Sequence, residues 1–382
     1  MIPYGRQTVS ERDIEEVVRV LRSPLLTQGP VVEAFEQAVA SYCGAAYGCA
    51  VNSGTAALHV ACLALGIGPG DEVWTSPVTF VASANCALYC GARVDFVDVE
   101  PDSGNMSADA LEEKLRSSPV RPKAVIVVHL AGMPCDMERI AALGREYGFK
   151  IIEDACHALG GAYHGMKVGC CTHSDITVFS FHPVKVITTG EGGMAVTRDP
   201  ELAGRMRLFR SHGITRDPAL MEGEPEGGWC YQQLELGFNY RMPEINAALG
   251  LSQLASLDSW IAARNRQAEH YRELLGDEPE IRLPPVFPGR LCAWHIFTVR
   301  VPPEHRGEIY RRLREEGIGT NVHYIPVYRQ PFHRKRGGHP LPGAEEYYSG
   351  ILTMPLCPAL KKEEQEHCAA VLKRLCREIR GA

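Results

Sequence analysis

Two residues with complementary chemistry stand 31 positions apart in this chain. Lys185 lies in the run Ser180-Phe181-His182-Pro183-Val184-Lys185, and the glycine-rich turn Gly190-Glu191-Gly192-Gly193 follows it. Asp154 ends the apolar run Ile151-Ile152-Glu153-Asp154. A lysine amine can hold an aldehyde as a Schiff base, and a carboxylate at a strand end can keep a ring nitrogen protonated. Together they resemble the two chemical ends of a pyridoxal phosphate site. Lysine is seldom placed among apolar residues unless it is paired or functional. Aspartate is common at strand-to-loop turns for structural reasons, so Asp154 alone leaves both readings open.

Other residues gain meaning only beside that pair. Asn52-Ser53-Gly54-Thr55 follows a strand-like run and opens a helical one. Free amides and the helix dipole at such a start favour an anion, Gly54 permits close approach and Thr55 adds a hydroxyl. The same residues also make an ordinary N-cap. The spacing is neither that of a Walker loop nor that of a dinucleotide fingerprint. Ser180, at a strand end, can turn its hydroxyl to a phosphate or bond the backbone. His157 can donate to a phenolic oxygen or simply pack. Phe80 can stack on an aromatic ring or fill a core. The sequence leaves these choices open.

The elements that must position these groups are legible from hydrophobic pattern. Strands are expected at 47–52, 72–76, 93–97, 124–129, 150–153, 176–181 and 193–197. Helices at 55–65, 80–90, 108–115 and 137–147 fall between them. Continuous apolar strands alternating with helices predict an α/β fold with a mainly parallel sheet covered on both faces. Residues 217–230 are polar and glycine-rich and read as a mobile surface loop. From Pro243 a long helical pattern carries the chain out of a large domain, 1–255, into a smaller α+β domain, 256–382. There the expected elements are a strand at 296–301, a helix at 304–316, a strand at 319–324 and a closing helix at 363–380.

Bulk properties narrow the function classes. The chain has 382 residues, and its net charge of −6 offers no basic field for nucleic acid or anionic lipid. No apolar run is long enough to span a membrane, and the first residues lack a signal-peptide core, so a cytoplasmic protein is expected. The 14 cysteines include no Cys-x-x-Cys pair. They read as reduced, mostly buried thiols and not as metal ligands.

Asn52–Leu58, Ser76–Phe80, Glu153–His157, Ser180–Lys185 and Phe238-Asn239-Tyr240-Arg241 are similar to the sugar aminotransferases of the DegT/DnrJ/EryC1/StrS family, in consistent order along the whole chain. Longer stretches, Ser76–Tyr89, Val128–Gly132, Phe179–Gly193, Arg210–Asp217 and Asn321–Pro326, resemble the branch that aminates a UDP-linked 4-keto sugar in pseudaminic acid biosynthesis. The resemblance implies the pyridoxal phosphate-dependent transferase architecture of fold type I and a homodimer with shared active sites. It implies Lys185 as the Schiff-base lysine, where a dehydrating branch has histidine, and Asp154 as the partner of the pyridinium nitrogen. Gly54, Thr55 and Ser180 would hold the phosphate, and Asn239 would reach it from the other subunit. His157, which stands where many relatives carry glutamine, would face the phenolic oxygen. Tyr4, Pro24, Leu25, Leu26, Thr27, Asn321, Val322, His323 and Tyr324 would line a nucleotide-sugar cleft. L-Glutamate is the implied amino donor.

Overall fold

The computed structural model describes residues 1–380. Helices α1 (Glu11–Leu21) and α2 (Pro30–Cys43) open the chain, and strand and helix then alternate. The succession is β1 (Tyr47–Val51), α3 (Gly54–Ala64), β2 (Glu72–Thr75), α4 (Ala82–Tyr89), β3 (Arg93–Phe96), α5 (Ala108–Ser117), β4 (Ala124–Val128), α6 (Met137–Tyr147) and β5 (Lys150–Asp154). Two short strands, β6 (Ala162–Tyr163) and β7 (Met166–Lys167), precede β8 (Ile176–Ser180) and β9 (Gly193–Thr197). Next come α7 (Pro200–Arg210), β10 (Ile214–Thr215), β11 (Gln232–Gln233), α8 (Glu244–Leu254) and α9 (Leu257–Leu275). The chain ends with β12 (Arg290–Leu291), β13 (Phe297–Arg300), α10 (Arg306–Glu315), α11 (Pro331–Arg334), α12 (Pro342–Gly350), β14 (Ile351–Met354) and α13 (Lys362–Arg380).

Seven strands form one sheet in the order β1-β9-β8-β5-β4-β2-β3. Pairing is parallel from β8 through β3, and β9 alone runs against its neighbours. The strands earn this place by composition: all five residues of β4 are buried, as a strand covered on both faces requires. Register then sets the site. Val128 stands opposite Asp154, and Asp154 opposite Val178, so the parallel strands end together at one rim. Open α/β sheets place their ligands at that rim.

α3 is apolar on nearly every side because the sheet covers one face and α4 and α7 the other. Its N-terminus therefore has one direction left to face, the carboxyl rim. A Cβ on Gly54 would stand 2.8 Å from the Cβ of Ser180, so only glycine allows α3 to start this close to the end of β8. A second core forms around the antiparallel pair β13–β14, with α9, α10 and α13 packed against it. The N-terminal residues lie on this second core. The Gly319 amide donates to the Ile2 carbonyl at 2.7 Å and the Leu356 amide to the Tyr4 carbonyl at 3.0 Å, which fixes Tyr4 beside the rim.

The C-terminal half departs most from the pattern expected of it. The helix expected from Pro243 is two helices. Pro243 is the N-cap, and tight turns at Ala255 and Ser256 bond back three residues to Ser252 and Gln253. Leu254 and Leu257, which share one periodic pattern in the sequence, therefore belong to different axes. Residues 319–324 form no strand; one isolated bridge joins Asn321 to Thr353. The Asn321 side chain accepts the Val322 amide at 2.8 Å and so uses a donor that a ladder would need. β14, α7 and α12 were not anticipated. The loop expected at 217–230 is the exposed tip of a hairpin whose base is the β10–β11 pair. No helix among the described residues is long and apolar enough to cross a membrane.

Candidate active site

One cavity of about 720 Å³ opens at the carboxyl rim of the sheet. Lys185, Asp154, His157, Ser180, Gly54, Thr55, Phe80, Tyr4, His323 and Tyr324 all line it, although they come from segments scattered across the sequence. Four of them sit at the ends of elements already described, and the others lie in the connecting segments. Asp154 is the last residue of β5, Ser180 the last of β8, and Gly54 and Thr55 the first of α3.

Asp154 is 6% exposed. One carboxylate oxygen accepts the Ser83 hydroxyl at 2.6 Å and the other the Cys156 amide at 3.2 Å. Ser83 is itself positioned by Thr79, hydroxyl to hydroxyl at 2.8 Å. The Lys185 amine has no hydrogen-bond or ion-pair partner among the described residues and faces the cavity half-buried. Burial pulls its pKa below the ordinary lysine range, while Cys156 and Asp154 pull it back up. Burial also pushes the Cys156 thiol well up and keeps it protonated, so Asp154 is the charge that opposes the desolvation of Lys185.

At α3 the Ser53 hydroxyl caps the Ala56 amide at 3.1 Å. The Gly54 and Thr55 amides precede any intrahelical acceptor and stay free for an anion. Ser180 stands directly across from them.

His157 is buried. Its Nδ1 accepts the Ala131 amide at 3.2 Å, and its Nε2 lies 3.2 Å from the Tyr324 hydroxyl. Burial, then Lys185 and His323, push its pKa well below the usual histidine value, so the ring is neutral. With Nδ1 occupied as acceptor, Nε2 carries the proton. His323 is also neutral, pushed down to about 4 by burial and by Lys185, and its Nδ1 meets the Thr353 hydroxyl at 2.7 Å. Phe80 is 59% exposed and stands at the mouth, its ring centre 6.4 Å from that of Tyr324. α4 begins two residues later than expected, so Phe80 belongs to the turn before it.

Some expected residues do not reach this cavity. Pro24, Leu25, Leu26 and Thr27 are exposed on the connection between α1 and α2, anchored by the Leu26 carbonyl to the Glu244 amide and by a Thr27–Pro243 bridge. Asn239 is exposed, and its carbonyl accepts the Asn52 side-chain amide at 3.4 Å. Asn321 and Val322 lie behind His323. Asn321 is tied to Thr353, and Val322 packs into the C-terminal core.

Two groups of the site went unnoticed in the sequence: His295, which lines the cavity, and Ser83, which lies fully buried behind Asp154. Ser83 carried no signal, because its partner Asp154 is distant in the chain. His295 was visible as a histidine inside the apolar run Ala293–Phe297, which alone suggests burial. Its ring lies 4.4 Å from that of His157, and its Nδ1 has no partner among the described residues.

The residues present fit pyridoxal phosphate. There is an amine free for the aldehyde and a carboxylate for the ring nitrogen. There is also a neutral N–H donor for the phenolic oxygen, with a helix start and a hydroxyl for the phosphate. A mainly parallel sheet with these groups at its rim defines a pyridoxal phosphate-dependent transferase of fold type I. The chain belongs to the DegT/DnrJ/EryC1/StrS aminotransferase family, whose model matches residues 7–373, and is dependent on that cofactor. It is 37% identical over 389 residues to the spore coat polysaccharide biosynthesis protein SpsC of Bacillus subtilis, covering 100% of this chain and 98% of that one. It is 36% identical over 359 residues to the UDP-4-amino-4,6-dideoxy-N-acetyl-beta-L-altrosamine transaminase of Campylobacter jejuni, covering 93% and 92%. Among solved structures, Helicobacter pylori PseC, an aminotransferase of pseudaminic acid biosynthesis, superposes with a TM-score of 0.92 at 30% identity over 99% of each chain.

Proposed function

We propose that this chain is a nucleotide-sugar aminotransferase that moves an amino group from L-glutamate to C4 of UDP-2-acetamido-2,6-dideoxy-β-L-arabino-hex-4-ulose. The product is UDP-4-amino-4,6-dideoxy-N-acetyl-β-L-altrosamine. The observation that carries the reading is the meeting of a free Lys185 amine, the Ser83-held Asp154 carboxylate and the open start of α3 around one cavity. Resemblance to the Campylobacter and Helicobacter proteins supports this substrate.

Bound pyridoxal phosphate supplies a ring that takes up the electrons of a carbanion. Asp154 holds the proton on the ring nitrogen. The Lys185 amine would take the α-proton of the donor and return a proton to the carbon two bonds away, across the donor's nitrogen, a task that its lowered pKa suits. The free Gly54 and Thr55 amides and the Ser180 hydroxyl bind the phosphate. His157 donates from Nε2 to the phenolic oxygen, and Phe80 covers the ring at the mouth. Tyr4, His323 and Tyr324 orient the sugar.

The reading includes a cytoplasmic homodimer, with residues 1–255 as the cofactor domain and 256–382 as the smaller domain. Asn239 and Pro24–Thr27 then serve the neighbouring subunit's site. Leu25, Leu26, Trp229 and Leu236 are large apolar side chains left exposed on the single chain, as residues that a second subunit covers would be. A second reading keeps the chemistry and changes the sugar to another UDP- or dTDP-linked keto sugar. Identity of 37% to SpsC against 36% to the altrosamine transaminase favours neither sugar. Incubation with the UDP-keto sugar and glutamate, followed by NMR of the product ring, tests the first reading. An axial or equatorial amine at C4 fixes the configuration, and no turnover on this sugar alone selects the second.

A further inference from the structure

His157 is held on its far side by an unusual piece of backbone. The Ala131 amide that its Nδ1 accepts belongs to a residue with φ of 58°. Only a few per cent of non-glycine residues adopt a positive φ, and one that persists needs surroundings that enforce it. Here they come from residues 293–295. The His295 amide donates to the Ala131 carbonyl and the Ala293 amide to the Gly132 carbonyl, both at 3.0 Å. Trp294, between them, also has a positive φ of 45°.

Arg264 grips this second loop. It is 2% exposed, and its Nη1 donates to the carbonyls of Trp294, His295 and Leu356 at 3.0, 3.2 and 3.3 Å. Among the described residues its side-chain bonds all go to carbonyls and none to a carboxylate. A buried guanidinium spent on carbonyls alone is costly to bury, so the shape it enforces is its benefit. Gly132 completes the fit: a Cβ there would meet the His157 carbonyl at 2.7 Å and the Trp294 amide at 2.9 Å.

From these contacts we infer that Arg264, through the 293–295 loop and Ala131, is a positioning residue that locks His157 as a one-way donor into the cavity. Direction passes along the chain of bonds. The Ala131 N–H fills Nδ1, the proton sits on Nε2, and Nε2 donates to the Tyr324 oxygen. The Tyr324 hydroxyl then has its own proton to offer the cavity. His129 shows the same lock without the outlet. Its Nδ1 accepts the Cys135 amide at 3.1 Å, but its Nε2 is consumed by Glu153 at 2.7 Å inside the core. His157 has one proton to give, so a ligand oxygen with free lone pairs either takes it directly from Nε2 in place of Tyr324 or takes the Tyr324 proton. This inference deepens the proposed function and rests on it only for what carries that oxygen, the cofactor or the keto sugar.

The test labels the full chain with 15N-histidine and reads the tautomer of His157 by long-range 1H–15N correlation at neutral pH, with and without pyridoxal phosphate. The His157→Gln spectrum assigns the signal. The lock predicts a protonated Nε2 and a bare Nδ1 in the cofactor-free protein. A proton on Nδ1, or an average of both tautomers, overturns it. Arg264→Met and Gly132→Ala should each mix the tautomers and lower kcat about a hundredfold, the scale of a one-ångström misplacement, with Arg264→Lys recovering part of the loss. If Arg264→Met does not fold, Gly132→Ala carries the test. An unchanged tautomer and rate in the folded variants removes the positioning role. A shift in the visible absorption of the Gly132→Ala holoenzyme without sugar assigns the acceptor oxygen to the cofactor, and a shift that needs sugar assigns it to the substrate. No shift in either case contradicts the proposal. Failure of pyridoxal phosphate to bind at all defeats the function reading instead, since the tautomer is read without it.

Discussion

Glu153 and Asp154 are neighbours on one strand, equally buried at 5% and 6% exposure, and they live in opposite chemical worlds. Strand alternation sends them to opposite faces of the sheet. Glu153 is closed off. One oxygen meets His129 Nε2 at 2.7 Å, and the other accepts Thr177 at 3.0 Å together with the Ser174 hydroxyl. Asp154 has Ser83 and the Cys156 amide on one side and an open cavity on the other. A carboxylate can accept about four hydrogen bonds. The Glu153 side uses its capacity within the chain, whereas the Asp154 side leaves some for a ligand. Burial marks both residues, but only the unused capacity, beside the unpartnered Lys185, marks a site.

Substitutions on the two faces should therefore fail in different ways. Lys185→Ala is expected to lower turnover about 10⁴-fold, the upper end for a lost proton-transfer group, while leaving the urea midpoint of the apo-protein in place. Asp154→Asn keeps the shape and some cofactor but loses the charge, and a coupled glutamate assay should show roughly a 10³-fold fall. An unchanged rate would remove Asp154 from the chemistry.

Glu153→Gln should do the reverse. Cofactor binding survives, but breaking a buried, hydrogen-bonded charge network costs about 3 kcal/mol of stability, measurable by urea unfolding. The sign with pH follows from the pKa shift. Burial raises the Glu153 pKa, but hydrogen bonds from His129, Ser174 and Thr177 outweigh it and hold the carboxyl below its usual range. Stability from Glu153 is thus present above the ordinary glutamate range and is lost as pH falls through the lowered value. The variant's stability should fall less steeply in acid than that of the parent. Ser83→Ala is the mildest. Losing one hydrogen bond to a charged group should cost about tenfold in kcat/KM, and a larger loss would mean that Ser83 does more than orient Asp154.

The same contrast explains what was legible beforehand. The sheet strands were plain because two covered faces demand unbroken apolar runs, as in β4. Asp154 and the start of α3 sit at element ends that the sequence marks, and Lys185 lies in the turn between β8 and β9; each left a bland reading open alone, and it was their combination in family order that gave them roles. His129 and His157 look alike in sequence, each a histidine just past a strand, and only the fold shows that one faces Glu153 and the other the cavity. The C-terminal elements were less readable. β14 begins immediately after α12, with no turn residues between Gly350 and Ile351 to announce the change. Residues 319–324 have strand composition but lack a ladder partner. His295 reaches the cavity through backbone contacts distant in sequence, for which one chain offers no pattern, and Tyr4 was named only through the family resemblance.

Borohydride reduction of the pyridoxal phosphate-loaded protein, followed by mass spectrometry of its peptides, tests the central assignment most directly. The account predicts a single phosphopyridoxyl adduct on the peptide holding Lys185. An adduct on another lysine, or no adduct from protein that has turned yellow, would contradict it.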